Sequence, residues 1–177
     1  MNAFILQPSS FNLHPSSPRW WVIHTGPRCE KKMDTWLTTE HWEQYLPTRP
    51  KKRKYASKTV TFHHPLFPCY TFGKFNLYQR NAVYGSGYAA AVLEVVDQAQ
   101  LLHELTQLRL ALSVSTEAKS CAYLRVGQRA RVTMGKLRGL EGVLVQHHHK
   151  TRMILSVEML QRSVSVEVEP EWLEQIC

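Results

Sequence analysis

The 177-residue sequence predicts an α+β protein made of two domains, and three patterns lead to this prediction. Residues 19–113 alternate short aromatic or β-branched runs with two amphipathic helical stripes, as in an α/β sandwich with a mainly antiparallel sheet. Residues 114–122 are small and polar, which is typical of a linker. Residues 123–177 carry about five short β-rich runs and no helical pattern, which predicts a small β-barrel. Residues 1–18, rich in Pro, Ser and Asn, are expected to form a disordered tail.

The first domain is predicted to open with a strand, a turn and a helix. Trp20–Thr25 is an aromatic and β-branched run that ends at Gly26, as expected of a buried strand. Pro27 suits the first position of the helix, where a missing N–H leaves no hydrogen bond unmade. The helix then has an apolar stripe of Cys29, Met33, Trp36 and Leu37 and a basic face of Arg28, Lys31 and Lys32.

The rest of this domain combines a basic run, an aromatic run and a second helix. Arg49–Tyr55 is too hydrophilic to be buried, so we expect a hairpin loop or a strand end there. His64–Phe72 is rich in aromatic residues and is predicted to be a strand whose two prolines place its start at an edge or a bulge. Asp97 and Gln100 form a capping-box pattern. The helix that follows has a stripe of Leu101, Leu105, Leu108 and Leu112.

Glycines punctuate the predicted barrel. Apolar residues at Ala130 and Val132, with polar neighbours, indicate its first strand. Gly135 and Gly139 bracket a tight connection, and Gly142 opens the next strand, so we expect a positive φ or a close approach of the backbone there. Taken singly, each glycine is equally compatible with ordinary turn chemistry.

The charge of the chain is distributed unevenly. The formal net charge is +8, and residues 19–60 hold ten basic and four acidic side chains. Within that region, Arg49–Lys58 has six basic residues and no acidic one. We therefore expect this surface to bind an anionic partner such as nucleic acid, rather than to be only a solvated face.

Several classes of function find no support in the sequence. The longest apolar run, Tyr88–Leu93, is far shorter than the about 20 residues that span a membrane. The four cysteines are far apart, which argues against a zinc site or a disulfide scaffold and favours a reducing cytoplasm. For His147–His149, an exposed barrel loop is favoured over a metal site. Phosphate-binding glycine motifs and nucleophile–base patterns are missing, so we expect neither a cofactor nor catalysis.

Two stretches of the chain resemble the NusG family of bacterial transcription elongation factors. WWVIHTGPRCEKK, the basic run and PLFPCYTF resemble the N-terminal (NGN) domain of that family, in the same order. VGQRARVTMGKLRGLEGVLV and SVSVEVEPEWLEQI resemble its KOW domain, an SH3-like β-barrel. The resemblance implies a factor in transcription elongation or antitermination. The PLFP form of the motif and a divergent Asn81–Val96 segment favour a specialised antiterminator paralogue of the RfaH or UpxY type.

The resemblance also implies roles for individual residues. Phe67, Tyr70 and Phe72 would line a pocket for the clamp helices of RNA polymerase and so suppress pausing or termination, although aromatic residues on a strand are usually core. Cys69 departs from the family, which often has Gly or Asn there. The residues expected to face upstream or non-template DNA are Arg28, Lys31, Lys32, Lys51, Lys52, Arg53 and Lys54. The KOW domain would recruit Rho or a small-subunit ribosomal protein to what we expect to be a cytoplasmic, non-enzymatic monomer.

An alternative function belongs to a different class. The chain would be a ribosome-associated or RNA-binding KOW protein that does not act on polymerase. Its net charge would then bind RNA phosphates, and its aromatic side chains would stack on bases. Polymerase capture by variants of Phe67 and Tyr70 distinguishes the two functions.

Overall fold

The computed structural model describes residues 14–114, 119–121, 127–147 and 150–176. Over these residues the chain is an α+β protein with three α-helices, mostly antiparallel sheets and a separate strand-rich C-terminal region, which confirms the predicted fold class. Residues 1–13 of the predicted tail and residues 115–118 and 122 of the predicted linker lie outside the described residues, as do His148 and His149.

Residues 19–114, here named the first domain, contain six strands and three α-helices. In chain order these are β1 (Arg19–Thr25), α1 (Glu30–Thr39), β2 (Glu43–Tyr45), β3 (Thr48–Tyr55), β4 (Lys58–Pro65), β5 (Tyr70–Phe75), α2 (Arg80–Gly85), β6 (Ala89–Glu94) and α3 (Gln98–Val114). Four strands form an antiparallel sheet in the order β2-β5-β1-β6, and β3 and β4 form a separate two-stranded ribbon. The residues from Trp20 to Ile23 in β1 are all buried, because helices cover both faces of the sheet.

Alternate residues of β1 contribute to two different cores. Trp21 and Ile23 belong to a cluster with buried residues of α1 and α2, here named the α1-side core. Trp20 and Val22 belong to a cluster with the buried leucines of α3, here named the α3-side core. The α3-side core also includes buried residues of the C-terminal region, so it extends beyond the first domain.

The C-terminal region, here named the β domain, is rich in strands. Its strands are β7 (Lys119–Cys121), β8 (Gln128–Val132), β9 (Glu141–His147), β10 (Lys150–Val157), β11 (Arg162–Glu167) and β12 (Leu173–Gln175). They form one antiparallel sheet in the order β12-β8-β9-β10-β11-β7, consistent with a KOW-like β domain. Strand β7 lies inside the predicted linker, because an edge strand can form through backbone pairing without an apolar pattern.

Helix α3 lies between the central sheet and the β domain. Leu105 and Leu108 are buried in the α3-side core. On a neighbouring part of the helix, the side-chain oxygen of Gln107 accepts a hydrogen bond from the Glu141 backbone N–H at 2.9 Å. The Glu104 carboxylate accepts one from the Glu158 N–H at 3.3 Å. The two domains therefore contact each other through apolar packing supplemented by polar side chains of α3.

Two local predictions are corrected by the structure. Pro27 does not begin α1, because the Cys29 N–H donates to the Gly26 carbonyl at 3.1 Å and Arg28 has a φ of 61°. These residues form a turn, the helix begins at Glu30, and Arg28 precedes it. In the predicted tail, residues 14–17 also form a turn, since the Ser17 N–H donates to the His14 carbonyl at 2.8 Å.

Candidate functional site

The aromatic motif forms a bend between β4 and β5 rather than the single strand that its composition predicts. Strand β4 ends at Pro65 and β5 begins at Tyr70. Between them, the Tyr70 N–H donates to the Phe67 carbonyl at 3.2 Å, which closes a turn. Because proline has no N–H to donate, Pro65 and Pro68 interrupt the ladder that a continuous strand needs.

Cys69 lies at the sharpest point of this bend. Its φ is 65°, a left-handed conformation that costs a residue with a Cβ about 1–2 kcal/mol. Its backbone N–H donates to the carboxylate of Glu30, a buried residue at the start of α1, at 2.7 Å. The glycine or asparagine frequent in the resembled family suits this conformation, and here the bond to Glu30 helps to hold it with cysteine.

The structure separates the three predicted clamp-binding aromatic residues by burial. Phe67 is 1% exposed and Phe72 is 0% exposed, and both belong to the α3-side core. Tyr70 is half-buried and packs against the same core, with its ring centroid 5.0 Å from that of His24. Of the three, Tyr70 is the one that reaches the surface.

A second tyrosine packs against this core from the edge strand β2. Tyr45 is half-buried, and the Arg109 guanidinium of α3 lies over its ring at 4.8 Å from the centroid. Burial raises the pKa of Tyr45 to about 12, against the opposing effect of Arg109. Tyr45 is therefore neutral at physiological pH, and with Tyr70 it gives this side of the domain two partly exposed, uncharged aromatic side chains.

The seven predicted nucleic-acid-binding residues lie on two surfaces, and all are exposed. Lys51, Lys52, Arg53 and Lys54 lie on β3, in the ribbon. Lys31 and Lys32 lie in the first turn of α1, and Arg28 lies in the preceding turn. The structure thus brings the cations into two groups rather than one continuous face.

The ribbon of β3 and β4 has eight residue pairs, from Thr48 opposite Pro65 to Tyr55 opposite Lys58. At the rise of a β-strand it is about 26 Å long. Its residues are exposed or half-buried along its whole length, and none is acidic. The hydrophilic run predicted to be a loop or strand end is therefore a complete strand, held by pairing rather than by burial.

A shallow cleft beside α1 combines cations with aromatic rings. It has a volume of about 420 Å³ and is lined by Lys31, Lys32, Thr35, Trp36, Thr39 and Tyr88. Trp36 is held edge-on by Trp42, with ring centroids 5.5 Å apart. The cleft therefore places ammonium groups, which suit phosphates, beside flat apolar surfaces.

The three predicted barrel glycines have distinct geometries. Gly135 has a φ of 75°, and a Cβ there would lie 2.5 Å from the Trp172 ring. Gly142 lies in β9, where a Cβ would lie 2.6 Å from the Ile154 carbonyl oxygen. Gly139 has a φ of 87° and open space around it. Packing within the β domain thus accounts for Gly135 and Gly142, and backbone conformation accounts for Gly139.

Sequence reasoning missed several residues that share these surfaces. Tyr55, Lys58 and Phe62 lie on the ribbon, and Tyr88 lines the cleft beside α1. Trp36, assigned to the apolar stripe of the helix, also lines that cleft. The two-residue alternation of a strand is the signal that groups the ribbon residues, but it becomes usable only when the pairing register is known.

The described residues were also compared with the requirements of a metal site, a disulfide and a membrane-spanning helix. Among the described residues, no group of three or more His, Cys, Asp or Glu is placed to hold a metal ion. Cys29 and Cys69 are free, half-buried cysteines. In the part of the chain that the structure describes, no helix has the length and apolar character needed to cross a membrane.

Comparison with known proteins relates part of the chain to a known family. No curated protein matches the chain. Residues 18–100 match the family model described as "Transcription termination factor nusG". This range contains the central sheet, both basic surfaces and the PLFPCYTF bend, and it ends in the first turn of α3. The chain is therefore similar to the NusG family over residues 18–100, which supports a NusG-like factor.

Proposed function

We propose that this protein is a transcription elongation or antitermination factor that binds the clamp helices of RNA polymerase through the surface around Tyr70. The match of residues 18–100 to the NusG family carries the proposal, because proteins of this family act with RNA polymerase and are not enzymes. By bridging the polymerase cleft, the factor keeps the clamp closed and lowers the population of paused or terminating states.

Tyr70 supplies the direct contact, and Phe67 and Phe72 hold its position from within the core. An uncharged aromatic surface suits a helix that lies in an apolar groove, and tyrosine is frequent among residues that dominate binding energy. Tyr45 extends the same surface from β2, since it packs against the same core and stays neutral. Burial of Phe67 and Phe72 supports a positioning role for these two side chains.

The basic surfaces bind DNA beside the polymerase. Arg28, Lys31 and Lys32 contact phosphates from the α1 side, and Lys51–Lys54 do so from the ribbon. Their exposure and the missing acidic residues of the ribbon support this role. The expected ligands are the upstream duplex and the non-template strand.

The C-terminal β domain recruits a second factor, which in the resembled family is Rho or a small-subunit ribosomal protein. Its contact with α3 keeps it next to the polymerase-binding side of the first domain. The factor acts as a cytoplasmic monomer, and the divergent Asn81–Val96 segment favours a specialised antiterminator over a general factor.

Replacement of Tyr70 by alanine tests the polymerase contact. Because Tyr70 is only half-buried, the domain should remain folded. We expect Tyr70→Ala to weaken binding to purified core RNA polymerase about tenfold or more, as for a residue that dominates an interface. Affinity is measured by biolayer interferometry with immobilised polymerase. Tyr78→Ala is the matched control, since Tyr78 is 69% exposed and lies after β5, outside the α3-side core.

Equal affinities for the parent, Tyr70→Ala and Tyr78→Ala would contradict the polymerase contact. Capture of ribosomal RNA by the parent, without measurable polymerase binding, would assign the protein to the RNA-binding class instead. A loss shared equally by Tyr70→Ala and Tyr78→Ala would show a general effect on the fold rather than a binding surface.

A further inference from the structure

Helix α3 has two flanks, one on each side of its buried leucine stripe. At about 3.6 residues per turn, residues that are four and seven apart along the chain lie on the same side of a helix. One flank, here named the docked flank, carries Gln100, Glu104 and Gln107. The other, here named the open flank, carries Leu102, Thr106 and Arg109. The two flanks lie about 160° apart around the helix axis, with the leucine stripe between them.

The docked flank is the part of α3 that holds the β domain. Glu104 and Gln107 accept hydrogen bonds from backbone N–H groups of the β domain. The Gln100 side-chain amide donates to the Glu104 carboxylate at 3.1 Å and also to the Glu158 carboxylate. This amide therefore joins a carboxylate of α3 to a carboxylate of the β domain. Every residue of the docked flank thus takes part in the contact between the domains.

The β domain meets the first domain near one particular edge of the central sheet. A crevice of about 210 Å³ is lined by residues 94–97 at the end of β6, by α3, and by Glu158 and Met159 of the β domain. In the sheet order β2-β5-β1-β6, strand β6 is one edge and β2 is the opposite edge. The β domain therefore lies on the β6 side of α3.

The open flank lies on the β2 side of α3. Leu102, Thr106 and Arg109 are all exposed while the β domain is docked, and Leu102 is 50% exposed. The Arg109 guanidinium covers the Tyr45 ring of β2, and Leu102 and Tyr45 line the same small crevice. Strand β2 pairs with β5, which begins at Tyr70. The open flank therefore continues the surface of Tyr45 and Tyr70.

We propose that α3 binds two partners at the same time. The docked flank keeps the β domain in place, while Leu102 of the open flank joins Tyr45 and Tyr70 in the polymerase contact. The inference rests on the polymerase contact of the proposed function and adds where the β domain lies in that complex. An α-helix with its side chains is about 10–12 Å across, so α3 itself separates the β domain from a polymerase helix on the open flank.

Simultaneous binding has a thermodynamic consequence. A ligand that binds two conformations equally well does not shift their populations. Polymerase that contacts the open flank, Tyr45 and Tyr70 therefore leaves the contact between the domains unchanged. The docked flank then sets the position of the β domain relative to polymerase, and it does not control access to the polymerase-binding surface.

The first test follows the contact between the domains while polymerase is bound. Hydrogen exchange of the Glu158 amide is measured in the full chain with and without saturating core RNA polymerase, because Glu104 accepts that N–H only while the domains are in contact. We expect the amide to be as protected in the complex as in the free chain, within about twofold. Loss of this protection in the complex would overturn the proposal.

Two variants, one on each flank, complete the test by biolayer interferometry with immobilised polymerase. Leu102→Glu places a charge on the open flank, so we expect it to weaken polymerase binding about tenfold or more and to leave exchange of the Glu158 amide unchanged. Gln107→Ala is the matched control on the docked flank. It should raise that exchange and leave the affinity for polymerase within about twofold.

The outcomes separate this inference from the proposed function. If a docked β domain blocked polymerase, Gln107→Ala would raise the affinity by the factor by which the separated population rises, and that result would overturn the inference. Parent-like affinity of Leu102→Glu would overturn it as well, because the open flank would then lie outside the polymerase contact. Absence of polymerase binding by the parent would contradict the proposed function and the inference together.

Discussion

The two sides of the central sheet are closed in different ways. On the α1 side, Trp21 stacks on Phe75 with ring centroids 5.6 Å apart, and Trp42 lies 5.4 Å from the same ring. The Trp21 indole N–H also donates to the Phe75 carbonyl at 2.9 Å. On the α3 side, the core continues into the β domain, and Gln107 adds a hydrogen bond across the domain contact.

The core on the α1 side is complete within the first domain, whereas the core on the α3 side is shared with the β domain. Elements of the first domain alone complete the α1-side core. Contacts between domains of one chain resemble transient protein–protein interfaces and are more polar than obligate interfaces. Tyr70 and its supports, Phe67 and Phe72, belong to the side that the β domain shares. The proposed polymerase contact and the contact between the domains therefore depend on the same core.

Trp21→Ala should give the largest effect, because it opens the core that the first domain completes by itself. Trp21 is fully buried, and its replacement removes the stacked ring and leaves the Phe75 carbonyl without the indole N–H. We expect the free energy of unfolding to fall by about 3–5 kcal/mol. Urea denaturation followed by circular dichroism measures it. Trp21→Phe keeps the stacked ring and should lose clearly less, so equal losses for both variants would contradict the packing role of the indole.

The α1 side could be predicted from the sequence because its signals are local and apolar. The aromatic run at Trp20–Thr25 and the positions of Met33 and Leu37 on one helical stripe specify a strand and a helix that bury each other. The start of α1 was misplaced, since Pro27 fits a turn as well as a first helical position. Arg28 adopts a left-handed conformation, which an arginine does not predict.

The α3 side could be predicted only in part. The leucine stripe of α3 and its capping residue Asp97 were recognised, and the Gln100 N–H does donate to the Asp97 carboxylate at 2.8 Å. The sequence does not show that Glu104 and Gln107 of α3 contact the β domain, because polar side chains such as these are typical of a solvated surface. Ribbon residues such as Tyr55 and Phe62 were missed for a related reason, since only the register shows that they share a face with the cations.

Gln107→Ala should loosen the contact between the domains without unfolding either of them. The change removes the acceptor for the Glu141 N–H, a bond that joins α3 to β9. A hydrogen bond of this kind contributes about 1 kcal/mol, so the population with separated domains should rise about fivefold. Hydrogen exchange at the Glu158 amide measures this population, because Glu104 of α3 accepts that N–H only while the domains are in contact.

Thr106→Ala serves as the control for Gln107→Ala. Its hydroxyl donates to the Leu102 carbonyl within α3 at 2.7 Å, and the side chain is exposed. Exchange at the Glu158 amide should rise with Gln107→Ala and stay unchanged with Thr106→Ala. Increased exchange confined to the Glu141 amide would mean that the bond is local and that apolar packing alone holds the domains together.

Glu104→Gln should give the smallest effect, and its size depends on pH. Burial raises the pKa of the Glu104 carboxyl above its ordinary value of 4.5, and the Glu158 carboxylate also raises it, while hydrogen bonds from Gln100 and the Glu158 N–H oppose this change. The docked state therefore binds a proton more tightly than the separated state. The contact is most stable below the ordinary pKa and weakens as the pH rises through the raised pKa. Solvent screening of the half-buried carboxyl keeps the effect small.

Glutamine at position 104 keeps an oxygen that can accept the Glu158 N–H and removes the charge. We expect the variant to show the same protection of the Glu158 amide between about pH 4 and 7, once intrinsic exchange rates are divided out, and stronger protection than the parent at neutral pH. Glu40→Gln, at the exposed end of α1, is the control and should behave like the parent. Protection in the parent that instead increased from acid to neutral pH would contradict this prediction. It would mean that ionised Glu104 stabilises the contact between the domains.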